Sequence, residues 1–234
     1  MVIAAKNESE AIGPLIGEIS AALDGVEPYE IIVVDDGSSD NMVEILKGLR
    51  KTQPALRIVR HAKSCGQSAG VRTGIGFARA PVIATLDGDG QNNPADIPAM
   101  LTQLRAGSPG GKLAMIAGQR VKRQDSWIKR YSSRIANGVR SRLLRDSTPD
   151  TGCGLKVFYR DAYQRLPWFD HQHRFLPALM LREGYEVVSA PVGHRHRSAG
   201  VSKYGTWDRL WVGIVDIFGV AWLQSRAKRP EIIE

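Results

Sequence analysis

The sequence has few cysteines and lacks any long uncharged apolar run. Cys65 and Cys153 are too few for a disulfide framework and lack the CxxC spacing of zinc or redox sites, which favours a reduced, cytosolic setting. No window reaches about 18 uncharged apolar residues, because three charges interrupt the nearest one, residues 207–223, and we predict no membrane-spanning helix. The chain also lacks internal repeats and a basic, apolar leader, so we expect no signal peptide.

The positive charge is concentrated in one segment. The 234 residues carry 32 Lys and Arg against 24 Asp and Glu, a net charge of +8. Residues 120–145 hold nine basic residues and one acidic residue, and nine minus one gives +8, so the rest of the chain is neutral. A local basic segment favours an anionic partner, such as nucleic acid, a phosphorylated small molecule or an acidic membrane surface.

The apolar pattern indicates an α/β fold. Apolar runs alternate with helical periodicity in the first half, which is typical of βαβ units and of a mostly parallel sheet flanked by helices. The predicted strands are residues 2–5, 30–35, 57–59, 82–86, 113–117, 155–159 and 185–190. The predicted helices are residues 12–23, 40–49, 68–78, 96–104, 127–145, 175–183 and 207–224. One apolar stripe on the first helix should pack on the sheet. Its members are Ile12, Leu15, Ile16, Ile19 and Leu23.

Polar clusters follow three of the predicted strands, where parallel α/β sheets bind ligands. They are residues 6–8, the first acidic loop (residues 35–40) and the second acidic loop (residues 87–91). In the second acidic loop, Asp87 and Asp89 flank a glycine, so their carboxylates repel each other unless a cation such as Mg²⁺ or Mn²⁺ joins them. The competing interpretations are ordinary: Asp-Gly-Asp favours turns, and Asp40 suits the N-cap of the next helix.

Taken together, the motifs resemble a known family. The runs Glu-Ile-Ile-Val-Val-Asp-Asp-Gly-Ser-Ser-Asp (30–40) and Asp-Gly-Asp-Gly-Gln (87–91) resemble family-2 glycosyltransferases of the GT-A fold. Gly-Gln-Ser-Ala-Gly (66–70) and Asp-x-x-Cys-Gly (150–154) are most similar to the dolichol-phosphate-mannose synthase branch, which glycosylates polyprenyl phosphates. The resemblance implies a catalytic domain over 1–206, followed by an amphipathic segment over 207–234.

The resemblance also implies roles for individual residues. The donor nucleotide would be held by Glu8, Asp35, Asp36, Asp87 and Arg120. Mg²⁺ or Mn²⁺ would be held by Asp87, Asp89 and Gln91. The acceptor phosphate would meet Lys129, Arg130, Ser133, Arg197 and Ser202. The catalytic group would comprise Asp87, Asp89, Gln91, Arg197 and Lys203.

The implied chemistry agrees with the residue types. A metal ion at the carboxylate pair would take up the charge that develops on a departing diphosphate. A phosphate acceptor, with a second pKa of about 6, is already anionic at neutral pH and needs no strong general base. A single displacement would then invert the anomeric configuration, and basic side chains would neutralise the two approaching anions.

Two predicted helices suit a membrane surface. The last helix has tryptophans at both ends of one apolar face and a basic tail, which predicts peripheral contact with the cytoplasmic face of the membrane. That face comprises Trp207, Leu210, Trp211, Ile214, Phe218 and Trp222. The helix over 127–145 has an apolar side that ends at Leu143, with cations around the rest. An ordinary core helix is the competing interpretation of residues 207–224.

Other functions remain open at this point. A GT-A enzyme acting on a soluble or cell-surface saccharide would need no membrane surface. A nucleic-acid-binding protein would use residues 120–145 but would leave the acidic loops without a role, and no nucleic-acid partner is expected. A phosphatase using Asp-x-Asp would carry that pair after the first strand instead of the fourth. The sugar, the lipid chain length and homo-oligomerisation are not determined by the sequence.

Several isolated residues have ordinary interpretations. Cys65 and Cys153 should be small buried residues. His171 and His173 should lie at the surface or at the start of a helix. The glycines of residues 70–76 lie inside a helical pattern and do not follow a strand, so we do not expect a phosphate loop there.

Overall fold

The computed structural model describes residues 1–121, 138, 140–195 and 206–228, and shows a seven-stranded sheet. Its strands are β1 (Val2–Ala5), β2 (Ile31–Asp35), β3 (Leu56–Arg60), β4 (Val82–Asp87), β5 (Leu113–Arg120), β6 (Lys156–Tyr159) and β7 (Glu186–Val192). They lie in the order β3-β2-β1-β4-β6-β5-β7. All pairs are parallel except those that β6 makes with β4 and β5. The predicted strands and the α/β class are confirmed.

Helices flank the sheet. The α-helices with defined ends are α1 (Ser9–Leu23), α2 (Met42–Leu49), α3 (Gln67–Phe77), α4 (Ile97–Ala106), α5 (Arg160–Gln164), α6 (Leu176–Arg182) and α7 (Thr206–Ser225). Short 3₁₀ turns cover Pro94–Asp96 and Gln172–Arg174. All five residues of the stripe predicted on α1 are buried. The short helix α5 was not predicted, because five residues are too few to show a helical period.

The central strands are covered on both faces. In β2, Ile31 and Val33 join the apolar cluster beneath α1 and α2, whereas Ile32 and Val34 join the cluster beneath α3. All four side chains are fully buried. Burial on both faces explains why this strand is a continuous apolar run instead of an alternating one.

Helix α3 lies unusually close to the sheet. A Cβ on Gly70 would stand 2.7 Å from Ala4 Cβ, and a Cβ on Gly74 would collide with the Val2 side chain. The glycines lie within a helix, as the pattern predicted, and they let that helix pack closely on the sheet. Contact with β1 offsets their low helix propensity.

The reversed strand β6 decides which residues reach the carboxyl edge, the edge at which the parallel strands end. Because β6 runs antiparallel to β4, with Thr85 opposite Lys156, the residues that precede β6 lie beside the end of β4. The Thr85 hydroxyl donates to Gly154 O at 2.8 Å and fixes this junction. Residues 150–154 are thereby brought to the second acidic loop.

One of the isolated predictions was wrong. Cys65 is exposed because it lies in the loop after β3, although Cys153 is buried as expected. His173 is half-buried in the 3₁₀ turn that precedes α6, and its ring Nδ1 lies 2.7 Å from the Oγ of buried Ser68. Burial lowers the pKa of His173 to about 3. His171 is half-buried, and its ring pairs with Asp216 at 3.2 Å.

At least one cation of the basic segment, residues 120–145, is buried instead of lying at the surface. Arg140 is buried and donates to Asp146 Oδ2 at 2.8 Å and to Thr148 O at 2.7 Å, so this cation forms an internal ion pair. Leu143, which the pattern placed on the apolar side, is 42% exposed, whereas Leu144 is fully buried. At this end of the segment Leu144 therefore provides the packing, and the other members of the predicted apolar side lie outside the described residues.

Helix α7 packs on the domain with one face and exposes another. Val220 is fully buried in the cluster beneath α3, and Gln224 Nε2 donates to Leu144 O at 2.9 Å. Ile214, Phe218 and Trp222 are 37%, 64% and 59% exposed. The side chains of Trp207, Leu210 and Trp211 lie outside those that the structure describes. In the described part of the chain, no helix combines the length and apolar character needed to cross a bilayer.

Candidate active site

Hydrogen bonds join the polar clusters after β1 and β2 at the carboxyl edge. Asn7 has a left-handed backbone (φ 55°), and its side-chain oxygen accepts from Ser39 N at 2.8 Å. Asn7 N–H donates to Ser38 Oγ at 2.9 Å. Asp40 accepts from Ser9 N at 3.0 Å and from Met42 N at 3.2 Å, so it joins the start of α1 to the start of α2. Asn41 occupies the N-cap position of α2 but its side chain makes no capping hydrogen bond, and Asp40 supplies one from the preceding position.

The second acidic loop presents two carboxylates at this edge. Asp87 is half-buried, and its Oδ1 accepts from Gln67 Nε2 at 2.6 Å. Burial raises the pKa of Asp87, the charge of Asp89 raises it further, and the charge of Lys156 opposes both. Among the described residues, Gln91 N–H donates to Asp89 Oδ1 at 3.2 Å. Two adjacent carboxylates, one of them disfavoured as an anion, suit a divalent cation with oxygen ligands.

Glycines set the space around these carboxylates. A Cβ on Gly88 would stand 2.7 Å from Ala5 Cβ, so the loop packs directly on β1. A Cβ on Gly154 would overlap the Asp87 carboxylate, with Oδ1 at 2.6 Å. Gly154 therefore leaves the room in which the Asp87 side chain lies.

The first acidic loop uses its carboxylates internally. Asp36 accepts four hydrogen bonds, from His61 Nδ1 (2.7 Å), Ser64 Oγ (2.7 Å), Cys65 N (2.8 Å) and Gly66 N (2.9 Å). Burial alone would raise the pKa of Asp36, but these hydrogen bonds hold it below its usual value. A carboxylate offers about four acceptor sites, so the protein itself occupies them.

Asp35 is also turned inward. It is fully buried, its Oδ1 accepts from Ser38 N at 2.9 Å, and its Oδ2 makes an ion pair with Arg60 Nε at 2.9 Å. The structure thus places Asp35 and Asp36 on protein partners, where they hold the loops after β2 and β3. Direct donation from a nucleotide to either carboxylate stays a prediction.

Arg120 ends β5 and is paired with Asp150. Its Nε and one terminal nitrogen donate to the two Asp150 oxygens at 2.7 and 2.8 Å. This hydrogen bond raises the pKa of Arg120. A bidentate pair fixes the plane of the guanidinium, so the cation lies in a defined place beside the second acidic loop.

Lys156 is a buried cation behind the carboxylate pair. Its Nζ donates to Thr151 O at 3.3 Å and to Cys153 O. Burial lowers the pKa of Lys156, while the charge of Asp87 opposes that effect. Its position offsets part of the negative charge at the site.

Glu8 and Gln91 lie close to the carboxylate pair. Glu8 precedes α1, and its Cγ is 3.7 Å from the place that a Cβ on Gly88 would take. The Gln91 carbonyl accepts from Arg195 N at 2.9 Å, which brings the segment after β7 to the second acidic loop. Arg195 itself pairs with Glu18 at 2.7 Å.

The structure brings together the donor and metal residues predicted from the sequence. Those at the carboxyl edge are Glu8, Asp35, Asp36, Asp87, Asp89, Gln91 and Arg120. Those outside the described residues are Lys129, Arg130, Ser133, Arg197, Ser202 and Lys203. Sequence reasoning assigns no role to Gln67, Asp150 or Gly154, although the motifs that contain them carry the family resemblance. It missed Lys156 because a lysine in an apolar strand carries no local signal of its partners.

The fold and the site together define a class of protein, an α/β enzyme. Its carboxylate pair can hold a metal ion beyond the strand ends, where this architecture binds its ligands. The chain belongs to glycosyl transferase family 2, whose model matches residues 1–166. The matched span includes both acidic loops and residues 150–154. The family and the enzyme class expected from the motifs are confirmed.

Two curated relatives are similar along most of the chain. The dodecaprenyl-phosphate galacturonate synthase of Rhizobium johnstonii is 33% identical over 235 residues, which cover 98% of this chain and 68% of that protein. The undecaprenyl-phosphate 4-deoxy-4-formamido-L-arabinose transferase of Edwardsiella ictaluri is 32% identical over 208 residues, which cover 88% of this chain and 62% of that protein. The chain therefore spans about two thirds of the length of these relatives.

Solved structures share the fold. A glucosyl-3-phosphoglycerate synthase from Mycobacterium tuberculosis, in complex with Mn²⁺, UDP-glucose and glycerol 3-phosphate, has a TM-score of 0.66 at 18% identity over 98% of this chain and 80% of that one. A mannosyltransferase from Pyrobaculum calidifontis, in complex with GDP-mannose and Mn²⁺, has a TM-score of 0.63 at 17% identity over 98% and 64%. The expected GT-A fold is confirmed.

Proposed function

We propose that this glycosyltransferase moves a sugar from a nucleotide-diphosphate sugar to a polyprenyl phosphate, with inversion at the anomeric carbon. The observation that carries the proposal is the Asp87 and Asp89 pair at the carboxyl edge, within a chain whose relatives are named for transfer to polyprenyl phosphates.

The donor half of the site follows from the carboxylates. Asp87 and Asp89 would hold Mg²⁺ or Mn²⁺, with Gln91 beside them. The ion, when bound, supplies charge stabilisation to the departing nucleoside diphosphate. The guanidinium of Arg120, which Asp150 holds by two hydrogen bonds, would help to stabilise the negative charge on the same diphosphate. Glu8 and the backbone that Asp36 organises would line the place of the nucleoside.

The acceptor half would be cationic. Lys129, Arg130 and Ser133, together with Arg197, Ser202 and Lys203, would bind and neutralise the acceptor phosphate. Arg195 leads into the second of these groups from its contact with the Gln91 carbonyl. Because the acceptor is already an anion, its oxygen attacks without transfer of a proton to a base.

The C-terminal segment would meet the membrane surface. We assign residues 1–206 to the catalytic domain and residues 207–234 to an interfacial segment on the cytoplasmic face. Exposed Phe218 and Trp222, with exposed Arg226 and Lys228 at the end of α7, support this assignment, because such a helix lies at the level of lipid headgroups.

The test is a donor and acceptor matrix. Calorimetry with GDP-mannose, UDP-glucose, UDP-N-acetylhexosamines and UDP-uronic acids, each with Mg²⁺ and Mn²⁺, identifies the donor. Radiolabelled donor is then offered to polyprenyl phosphate in vesicles and to water-soluble saccharides. Transfer to the lipid phosphate is expected. Transfer to soluble saccharides alone, or absence of flotation with anionic vesicles at low salt, would contradict the acceptor and membrane assignments respectively.

One double variant separates the two halves of the site. Reversal of Lys129 and Arg130 to Glu should remove acceptor use and leave donor binding intact, since these cations are assigned to the acceptor phosphate. Equal loss of donor binding in this variant would place the two cations in the donor site instead.

A further inference from the structure

Gln67, the first residue of α3, contacts the carboxylate pair from a neighbouring element. Its side chain is exposed, yet its Nε2 donates to Asp87 Oδ1 at 2.6 Å. This hydrogen bond occupies one acceptor site of the Asp87 carboxyl group. None of the roles discussed above for the metal, donor or acceptor requires this amide.

The start of α3 is held from the first acidic loop. Gly66 precedes the helix with a φ of 90°, and its N–H donates to Asp36 Oδ2 at 2.9 Å. Cys65 N–H donates to Asp36 Oδ1 at 2.8 Å. The close contact of Gly70 with Ala4 adds a steric limit one turn further on. The Gln67 backbone therefore has little freedom to move relative to the sheet.

A second support comes from the segment before α6. Ser68 is fully buried, and its Oγ lies 2.7 Å from His173 Nδ1 and accepts from His173 N at 3.2 Å. Gln67 thus lies between two fixed neighbours, Gly66 on the Asp36 carboxylate and Ser68 on His173. This arrangement aims the amide at Asp87 without help from a ligand.

Close contact with Gly154 also restricts the Asp87 carboxylate. No Cβ fits there, because it would overlap the carboxylate. The place of that Cβ is close to both oxygens and nearest to Oδ2, so Gly154 packs against the whole carboxylate and does not distinguish its oxygens. The Gln67 amide does distinguish them, because it donates to Oδ1. Oδ2 is the oxygen that the Gln67 amide leaves for a cation.

We propose that Gln67 is a positioning residue that makes Asp87 a one-oxygen ligand, and that it thereby favours Mg²⁺ and Mn²⁺ over Ca²⁺ at this site. The inference rests on the proposed function, in that it takes the carboxylate pair as the metal site. Ca²⁺ takes six to eight oxygens and accepts two from one carboxylate, whereas Mg²⁺ requires six at close to ideal octahedral geometry. Partners that orient a ligand typically change metal affinity by about 10- to 100-fold.

The experiment compares Gln67→Met, which keeps the length of the side chain but removes the amide, with wild type. Gln103→Met is the matched control, since Gln103 is exposed on α4 away from the site. Electron paramagnetic resonance measures Mn²⁺ binding to the full chain with saturating UDP or GDP, and Ca²⁺ is then added as a competitor. We expect the Mn²⁺ Kd of Gln67→Met to rise about tenfold and the preference for Mn²⁺ over Ca²⁺ to shrink, with Gln103→Met like wild type.

Gln67→Asn keeps the amide but cannot reach Asp87, and should behave like Gln67→Met. If Gln67→Met unfolds, Gln67→Asn provides the measurement. A Mn²⁺ Kd and a Ca²⁺ preference within about twofold of wild type in the folded variant would overturn the inference. A loss of Mn²⁺ affinity with an unchanged preference would overturn the selectivity part.

The outcome is independent of the acceptor. Wild type that binds Mn²⁺ but transfers no sugar to polyprenyl phosphate would contradict the proposed acceptor and leave the role of Gln67 standing. Transfer to polyprenyl phosphate by wild type, with unchanged metal binding in Gln67→Met, would support the proposed acceptor and overturn the role of Gln67. Absence of Mn²⁺ binding to wild type would overturn both the metal site and the role of Gln67.

Discussion

The two acidic loops, similar in sequence, differ in what their carboxylates contact. In the first acidic loop, Asp36 accepts four hydrogen bonds from the protein, and Asp35 is fully buried beside Arg60. In the second acidic loop, the described residues give Asp87 a side-chain amide and Asp89 a backbone N–H. The first loop organises backbone, and the second retains acceptor capacity for a cation. Equal acidity in the sequence therefore does not mean equal availability to a ligand.

The largest effect is expected from Asp89→Asn, which tests the second loop. Loss of one metal carboxylate should lower transfer by about 10²- to 10³-fold or more, because charge stabilisation of several kcal/mol is removed. The Tm should remain close to that of wild type. Steady-state transfer assays, Mn²⁺ titration and thermal unfolding measure these quantities. Full transfer activity would show that Asp89 does not hold the metal.

Asp36→Asn tests the first loop, where we expect a loss of stability instead of a direct loss of metal binding. The substitution leaves donors from residues 61–66 facing an amide, which should lower the free energy of unfolding by about 3 kcal/mol. Denaturant unfolding measures it, with Asp89→Asn as the matched control. A stable Asp36→Asn protein that has lost nucleotide affinity would restore Asp36 as a direct donor ligand and remove the contrast between the loops.

Gly154→Ala should have a smaller effect that is specific to the second loop. The added methyl group meets the Asp87 carboxylate, which must turn away, and such overpacking costs about 2 kcal/mol. We expect weaker Mn²⁺ binding with a modest fall in Tm. Gly48→Ala on α2 is the control, because a Cβ there meets no atom within 4 Å. Equal metal binding in both variants would mean that Asp87 tolerates the displacement.

The smallest effect concerns His173 and the dependence of stability on pH. Burial lowers its pKa from 6.5 to about 3, so the unfolded chain takes up the proton first as pH falls. The contribution of neutral His173 is fully present above about pH 6.5 and is lost as pH falls towards about 3. Stability of wild type should therefore fall relative to His173→Gln between about pH 7 and pH 5.

Denaturant unfolding at several pH values checks this expectation. His171→Gln is the control, because it removes a histidine of the same segment that does not contact Ser68. If His173→Gln follows the wild-type pH profile throughout, His173 does not titrate in the way that its burial predicts.

Much of the fold was predictable because its signals are local. The seven strands and the stripe on α1 follow from apolar periodicity, and the acidic loops follow from the chemistry of strand ends. The sequence does not show whether Leu143 or Leu144 is the buried leucine, because that depends on the elements against which this end of the segment packs. Arg140 likewise gives no sequence signal of its buried pairing with Asp146.

The sequence by itself determined the family, the order of elements and the residue types at the carboxyl edge, because these depend on composition and short-range spacing. Only the tertiary structure decided which carboxylates are occupied. The reversal of β6 brought Gly154 to Asp87, and the close packing of α3 brought Gln67 to the same side chain. These contacts join residues 20 and 67 positions apart in the chain, and their geometry depends on sheet order and packing instead of on any local pattern.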